Sequence, residues 1–294
     1  MRNSVGMIGL GIMGSAMAAN LMRAGFRVVG YDVAAPARAA HARAGGAVAK
    51  SVQEVARSSP VVILSLPSSN ALSKVAREVS GSRRKGLIAV ETSTLPIADK
   101  EAARKALAHA GVTLLDCPLS GTGAQARVKD LIVYASGDRK AFRQVLKFMA
   151  GFSRKQFYVG PFGHGSKMKY VANLLVAIHN VAAAEAMVLG MKAGLDPALV
   201  LKVVADGAGG SRMLQVRGPM MVKDDYSDAT MKVEIWQKDM TIIGEFARAL
   251  ACPTPLFAAS APIYNAAMAI GMGRQDTGAV CAVLEKLSNL KRKK

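Results

Sequence analysis

Apolar and polar positions follow two regimes along the chain. Through the first half, short apolar runs recur at residues 5–8, 26–31, 61–66, 87–90, 112–115, 131–135 and 156–159, each bounded on at least one side by Gly, Pro, Ser or Asp. Runs of this length rich in Val, Ile and Leu read as strands, and the uninterrupted run at 61–66 reads as one buried on both faces. Helical periodicity lies between several of them, at 15–24, 97–110 and 141–148. Such alternation predicts a mostly parallel sheet with helices on both faces. It stops at Val159-Gly-Pro161. Gly163-His-Gly-Ser166 then opens a helical pattern from Lys167 to about Lys192, closed by Gly194, roughly 40 Å of helix at a rise of about 1.5 Å per residue. The remainder is helical, punctuated at 207–210 and at Pro219, Pro253 and Pro255, with helix starts expected at Asp196-Pro197 and Ser260-Ala-Pro262. The expected architecture is α/β: a doubly wound sheet domain over 1–161 and an all-α domain over 162–294, joined by the long helix.

The first strand leads into Gly9-Leu10-Gly11-Ile12-Met13-Gly14, a Gly-x-Gly-x-x-Gly turn, and the second strand ends at Asp32. A glycine fingerprint between strand and helix, with an acid about twenty residues on, is the requirement of a Rossmann dinucleotide site. Gly9 permits the tight turn, Gly11 lets a pyrophosphate approach the backbone, and Gly14 lets the helix pack close to the strand. The helix N-terminus offers unpaired N–H groups and a positive dipole end to phosphate. Ligands in these sheets bind at the carboxyl ends of strands, so Leu66, Pro67, Ser93, Thr94, Ser120 and Gly121 are expected along the cofactor's path. Ser and Thr in such turns are also ordinary caps.

Composition changes this picture little. Of 294 residues 51% are hydrophobic and only 5% aromatic, which excludes a disordered chain and suits close helix packing. Cys117, Cys252 and Cys281 are odd in number and widely spaced. They form neither a disulfide framework nor a metal-ligand set, and a reducing cytoplasmic setting is expected. The formal charge is +19, but the cations are dispersed, apart from Arg83-Arg84-Lys85 and the tail Lys291–Lys294, which reads as a frayed terminus. A nucleic-acid module would cluster them on one face, often beside aromatics. The charge is better read as a solvated surface whose field favours anionic ligands. The apolar stretch 171–191 is interrupted by Asn173, His179, Asn180 and Glu185, and so reads as a buried central helix and not as a membrane span.

Lys169 and Asn173 stand four apart near the start of that helix, with Asn180 close to the same stripe and Lys167 off it. Lysine on a buried face is unusual. Spacing alone leaves two readings, a snorkelling lysine at a helix end or an acid–base group whose pKa burial lowers.

Four motifs together resemble the β-hydroxyacid dehydrogenases. That family includes 3-hydroxyisobutyrate dehydrogenase, tartronate semialdehyde reductase, glyoxylate and succinic semialdehyde reductases and L-threonate dehydrogenase; the 6-phosphogluconate dehydrogenases are more distant relatives. The motifs are Gly9–Gly14 with Met17-Ala-Ala-Asn-Leu21, Asp116-Cys-Pro-Leu-Ser-Gly121, the run from Gly163 to Asn173, and Lys238-Asp239. The resemblance covers about residues 4–288. It implies NAD, in preference to NADP because of Asp32, as cofactor, with no metal. It places the substrate carboxylate on Ser120, Gly121 and Thr122, Lys169 and Asn173 at the catalytic positions, and Lys238 beside the nicotinamide. The implied substrate is a small anionic hydroxy acid or semialdehyde, with neutral Lys169 taking the hydroxyl proton in oxidation. Departures are Thr122 where the family has a second glycine, Lys129-Asp130-Leu131 where it has Gly-x-Leu, and Ala172 in place of the first of two asparagines. The stretch from His179 to Met187 and Ala208-Gly-Gly-Ser-Arg-Met213 resemble the L-threonate branch. A homodimer or homotetramer packed through the Ala- and Met-rich helical half is expected. The alternative is a catalytically silent NAD-bound scaffold, or a nucleic-acid-associated one; silent relatives lose the lysine that this chain keeps.

Overall fold

A computed structural model describes residues 3–292. The chain forms two compact units, Met1–Lys169 and Tyr170–Lys294. The division falls inside the long helix, beyond the 161/162 junction expected from the end of the strand pattern. The cause is local: the first turn of that helix is hydrogen-bonded to Asp116 and Ser136 of the sheet unit.

The main sheet comprises β1 (Ser4–Ile8), β2 (Arg27–Tyr31), β3 (Ala47–Val48), β4 (Val61–Leu64), β5 (Ile88–Glu91) and β6 (Thr113–Asp116). All neighbours are parallel, in the order β3-β2-β1-β4-β5-β6. That is the doubly wound order, with its switch point between β1 and β4. Successive strand residues serve opposite faces, as the pleat requires. Met7, Val61, Ile63 and Val90 pack under α1 (Ile12–Arg23) and α7 (Arg139–Phe152). Ile8, Val62, Leu64 and Ala89 pack under α3 (Val52–Ser58), α4 (Ser69–Ser80) and α5 (Ile97–His109). Helices α2 (Ala35–Arg43) and α6 (Gly123–Arg127) complete the unit.

The two later apolar runs do not extend this sheet. β7 (Leu119–Ser120), β8 (Ile132–Ala135) and β9 (Lys155–Tyr158) form a second sheet, with β7 antiparallel to β8 and β8 parallel to β9. The main sheet touches it through one antiparallel bridge, Asp116 to Ser136. Pro118 has no N–H with which to continue a ladder, and its carbonyl instead accepts from Tyr134 N–H at 3.0 Å.

Helix α8 (His164–Lys192) crosses the division. After it come α9 (Pro197–Asp206), α10 (Arg212–Lys223), α11 (Val233–Ala249), α12 (Pro255–Ala269) and α13 (Val280–Leu287). Among the described residues beyond Tyr158 no strand occurs. The expected start at Asp196 is present, its carboxylate accepting from Ala198 N–H. An expected break and an expected start are not: Pro219 lies inside α10 and Pro262 inside α12. The run Phe257-Ala-Ala before Ser260 keeps the apolar period going, so α12 begins more than a turn earlier, at Pro255. The tail is not frayed as far as Arg292, which bonds Glu285 and the carbonyls of Met221 and Val222; Lys293 and Lys294 lie outside the described residues.

By length and mean hydropathy alone α8 could cross a membrane. Its buried asparagines argue for a core helix. Asn180 Nδ2 donates to Tyr264 Oη at 3.1 Å and to the Thr277 carbonyl at 2.7 Å. Nearby, Arg217 and Asp276 form a buried pair at 2.8 Å. Burial opposes ionisation of Asp276, but Arg217 and the N–H groups of Gly278 and Met231 outweigh it and hold the carboxyl below its ordinary range.

Candidate active site

The dinucleotide turn is built by close approach. Gly9 has φ +91°, the left-handed region. A Cβ on Gly14 would stand 1.9 Å from the Gly9 carbonyl oxygen, so only glycine lets α1 sit this near β1. A Cβ on Gly11 would meet no atom within 4 Å; it would project into open space. Gly11 is also the N-cap of α1, and no side-chain cap or first-turn acid is present there. An uncapped helix start beside open space is the donor set a pyrophosphate needs. The chain's own residues therefore fit NAD. Leu10, Ile12 and Met13 fill the turn, with Leu10 buried and Ile12 exposed.

Asp32 stands at the end of β2, and its carboxylate is already oriented. Oδ2 accepts from Leu10 N–H at 2.7 Å and Oδ1 from Ala34 N–H at 2.8 Å. Each oxygen keeps a further lone pair for a ribose hydroxyl. Arg38 is turned inward: its Nη1 donates to the Asp32 carbonyl at 2.6 Å and to the Val33 carbonyl at 3.1 Å. Leu66 follows β4 half-buried and Pro67 exposed, with Leu66 N–H donating to Ser93 Oγ at 2.8 Å. Thr94 follows β5, also half-buried. The sheet unit thus gathers every expected cofactor residue except Lys238 at the carboxyl ends of its strands.

Ser120 ends β7, and Gly121 follows with φ +132°. Thr122 is occupied. Its Oγ1 accepts from Gln125 N–H and its own N–H donates to Gln125 Oε1 at 3.0 Å, a capping box for α6. Thr122 therefore fixes the turn, leaving Ser120 and Gly121 as the better anion donors. Asn20 on α1 holds α6 from beneath, donating to the Ala126 carbonyl at 2.6 Å.

On α8 the expected polarity is present: Lys167 is exposed, whereas Lys169 is 9% exposed and Asn173 4%. Asn173 Nδ2 donates to Asp239 Oδ2 at 2.8 Å, and Asp239 Oδ1 lies 3.4 Å from Lys238 Nζ. The Asn173 amide is thereby fixed, with Nδ2 toward the carboxylate and Oδ1 turned away. Asp239 stood in a quoted motif without a role assigned to it; its place beside Lys238 was the available signal.

Sequence reasoning missed Lys100. It is fully buried on α5, with Nζ 2.6 Å from Glu91 Oε2, 2.8 Å from Asp116 Oδ1 and 2.7 Å from the Ser93 carbonyl. Burial alone would lower its pKa, but Asp116 and Glu91 outweigh burial and hold the ammonium above the usual lysine value. The signal was present: Lys100, Ala103 and Leu107 form the buried stripe of α5.

Comparison with known proteins covers both halves. Residues 4–160 match the family described as the NAD binding domain of 6-phosphogluconate dehydrogenase. Residues 163–284 match that described as NAD-binding of NADP-dependent 3-hydroxyisobutyrate dehydrogenase. The chain is 32% identical to an L-threonate dehydrogenase of Cupriavidus necator over 96% of each chain. It is 30% identical to glyoxylate/succinic semialdehyde reductase 2 of Arabidopsis thaliana, over 96% of this chain and 79% of that one. A 3-hydroxyisobutyrate dehydrogenase structure from Mycobacterium tuberculosis, determined with L-serine, superposes with a TM-score of 0.87 at 26% identity, covering 97% of this chain and 99% of that one.

Proposed function

Since the chain belongs to the β-hydroxyacid dehydrogenase family, we propose that Lys169 is its acid–base group and that Ser120, Gly121 and Asn173 hold the substrate. The activity class is NAD-dependent oxidation or reduction of a hydroxy acid. NAD, when bound, supplies the hydride acceptor or donor. The protein's part is position and a proton. Ser120 Oγ and the Gly121 N–H anchor the substrate carboxylate by charge-assisted hydrogen bonds. Lys169 takes the hydroxyl proton in oxidation and returns it in reduction. Asn173, its amide fixed by Asp239, presents Oδ1 to the hydroxyl or to the ammonium.

The observation that carries this reading is the burial of Lys169 one helical turn before Asn173 on a single continuous helix. The substrate class is a small carboxylate with a hydroxyl on C2 or C3, and L-threonate, glycerate and 3-hydroxyisobutyrate are its first members to assay. Initial rates of NAD reduction with that panel identify the substrate. On the best of them Lys169→Ala loses about 10²–10⁴-fold in kcat with little change in NAD affinity. Turnover retained within a few-fold overturns the assignment.

We also propose a homodimer or homotetramer. Val171, Leu175 and Leu189 on α8 and Leu199 and Val203 on α9 are exposed, an apolar surface of the kind subunits cover. A monomer by light scattering at micromolar concentration refutes it.

A further inference from the structure

We propose that the buried Lys100–Glu91–Asp116 cluster is the positioning device for Lys169: it seats the first turn of α8 against the sheet and so fixes where the lysine on the next turn stands. The proposal rests on the reading of Lys169 as the acid–base group.

The contacts of the cluster run from α5 to the start of α8. The Lys100 ammonium donates to Asp116 Oδ1 at 2.8 Å and to the Ser93 carbonyl at 2.7 Å, and forms an ion pair with Glu91 Oε2 at 2.6 Å. An ionised carboxylate has about four acceptor sites, and Asp116 fills them. Oδ1 accepts from Lys100 and from Ser166 Oγ at 2.8 Å. Oδ2 accepts from Ser166 N–H at 2.8 Å and from Ser136 Oγ at 3.2 Å. Ser136 Oγ in turn accepts from Gly165 N–H at 2.9 Å. Two of the N–H groups that a helix start leaves unpaired are thus capped by residues outside the helix, on β6 and just beyond β8.

Charge points the same way. Two carboxylates and one ammonium leave a net negative charge in a fully buried place, and the positive dipole end of α8 abuts it. Contact is also close. A Cβ on Gly165 would stand 2.4 Å from the Tyr134 carbonyl and 2.7 Å from that of Asp116. Such a seat allows the helix start neither to slide nor to rotate. Lys169 follows Ser166 by three residues, within one turn. A displacement of about 1 Å at a reacting group costs on the order of 10²-fold in rate, so an acid–base group needs a seat of this kind.

The test uses Ser136→Ala and Ser166→Ala, which trim the seat while leaving the ion cluster in place, and Lys100→Met, which removes its centre. Each is made in the wild-type and the Lys169→Ala background. We expect the serine variants to fold, with NAD affinity unchanged, substrate KM moved less than kcat, and kcat down about tenfold in the wild-type background. In the Lys169→Ala background the same substitutions cost nothing further, because the group they position is gone. Lys100→Met loses more, and if it fails to fold the serine variants decide. Folded serine variants with kcat within twofold of wild type overturn the inference while leaving Lys169 its role. Equal losses in both backgrounds overturn it too, showing general support of the fold. Lys169→Ala with near-normal turnover refutes the underlying reading, and the inference with it.

Discussion

Two glycines of the dinucleotide turn separate packing from binding. Gly14→Ala places a methyl 1.9 Å from the Gly9 carbonyl oxygen and 2.9 Å from its carbon, both backbone atoms. The contact must open by over an ångström, and no flexible side chain is there to give way. The helix therefore lifts from β1, which strains the packing of Met17 and Leu21 against Met7. Overpacking of this kind costs about 1–3 kcal/mol. In a domain of this size about 1 kcal/mol lowers Tm by roughly 2–4 °C, so the variant should melt some degrees lower. It should also bind NAD about tenfold or more weakly, because the donors of the first turn move with the helix. Gly11→Ala meets nothing within 4 Å and should leave Tm unchanged. Its methyl stands in the space a pyrophosphate would take, so NAD affinity should fall by tenfold or more, about 1.4 kcal/mol for each factor of ten. Thermal melts and NAD titration by tryptophan fluorescence or calorimetry read both variants. Wild-type NAD affinity in Gly11→Ala would refute the cradle; an unchanged Tm in Gly14→Ala would refute the tight seat.

Cofactor choice is testable at Asp32. Two like charges about 4 Å apart cost about 1 kcal/mol in water and about 4 kcal/mol at an effective dielectric near 20, so wild type should favour NAD over NADP by tenfold or more in kcat/KM. Asp32→Ser should erase the preference, with inward Arg38 then beside the 2′-phosphate; equal wild-type efficiency with NADP would show the carboxylate turned away from the ribose. His41 is buried against β2, with Nε2 unpaired among the described residues, and burial lowers its pKa despite backbone hydrogen bonds that raise it. A lowered histidine resists the proton that the unfolded chain accepts, so its contribution is full above about pH 6.5 and declines as pH falls toward the folded value. Tm measured from pH 7.5 to 5 should drop more steeply for wild type than for His41→Leu, and parallel slopes would dismiss the effect.

What could be read from sequence is what chemistry ties to a residue type at one place. A pyrophosphate turn demands Gly9, Gly11 and Gly14, and a ribose contact demands an acid at Asp32; both stand where expected. The burial of Lys169 agrees with its place on an apolar helix stripe, but spacing alone left a snorkelling lysine and an acid–base group both open. Strands 132–135 and 155–158 were legible as strands, but an apolar run does not say which neighbour it pairs with, so the second sheet was not. Prolines misled at Pro219 and Pro262 because proline marks a start only where the preceding turn is not already helical. The seat of α8 was hidden for another reason. Lys100, Asp116, Ser136 and Ser166 lie far apart in sequence, and each alone reads as a surface lysine, a motif acid or an ordinary cap. Only the fold brings them within 3.2 Å of one another in a chain of contacts.

Two buried lysines lie in one unit, and the roles proposed for them are opposite. Lys100 has three fixed acceptors, two of them carboxylates, at 2.6–2.8 Å. Removing its proton would leave two buried carboxylates facing each other with nothing between them, so at neutral pH it stays an ammonium and its stabilising effect is lost only as pH climbs above the ordinary lysine value toward the raised folded one. A group so held cannot pass a proton to and from a substrate in each turnover; it can only hold position. An acid–base lysine needs the reverse, a site where charged and neutral forms lie close in energy near the working pH. Lys169 is nine-tenths buried, on the turn after the helix start that the Lys100 cluster holds.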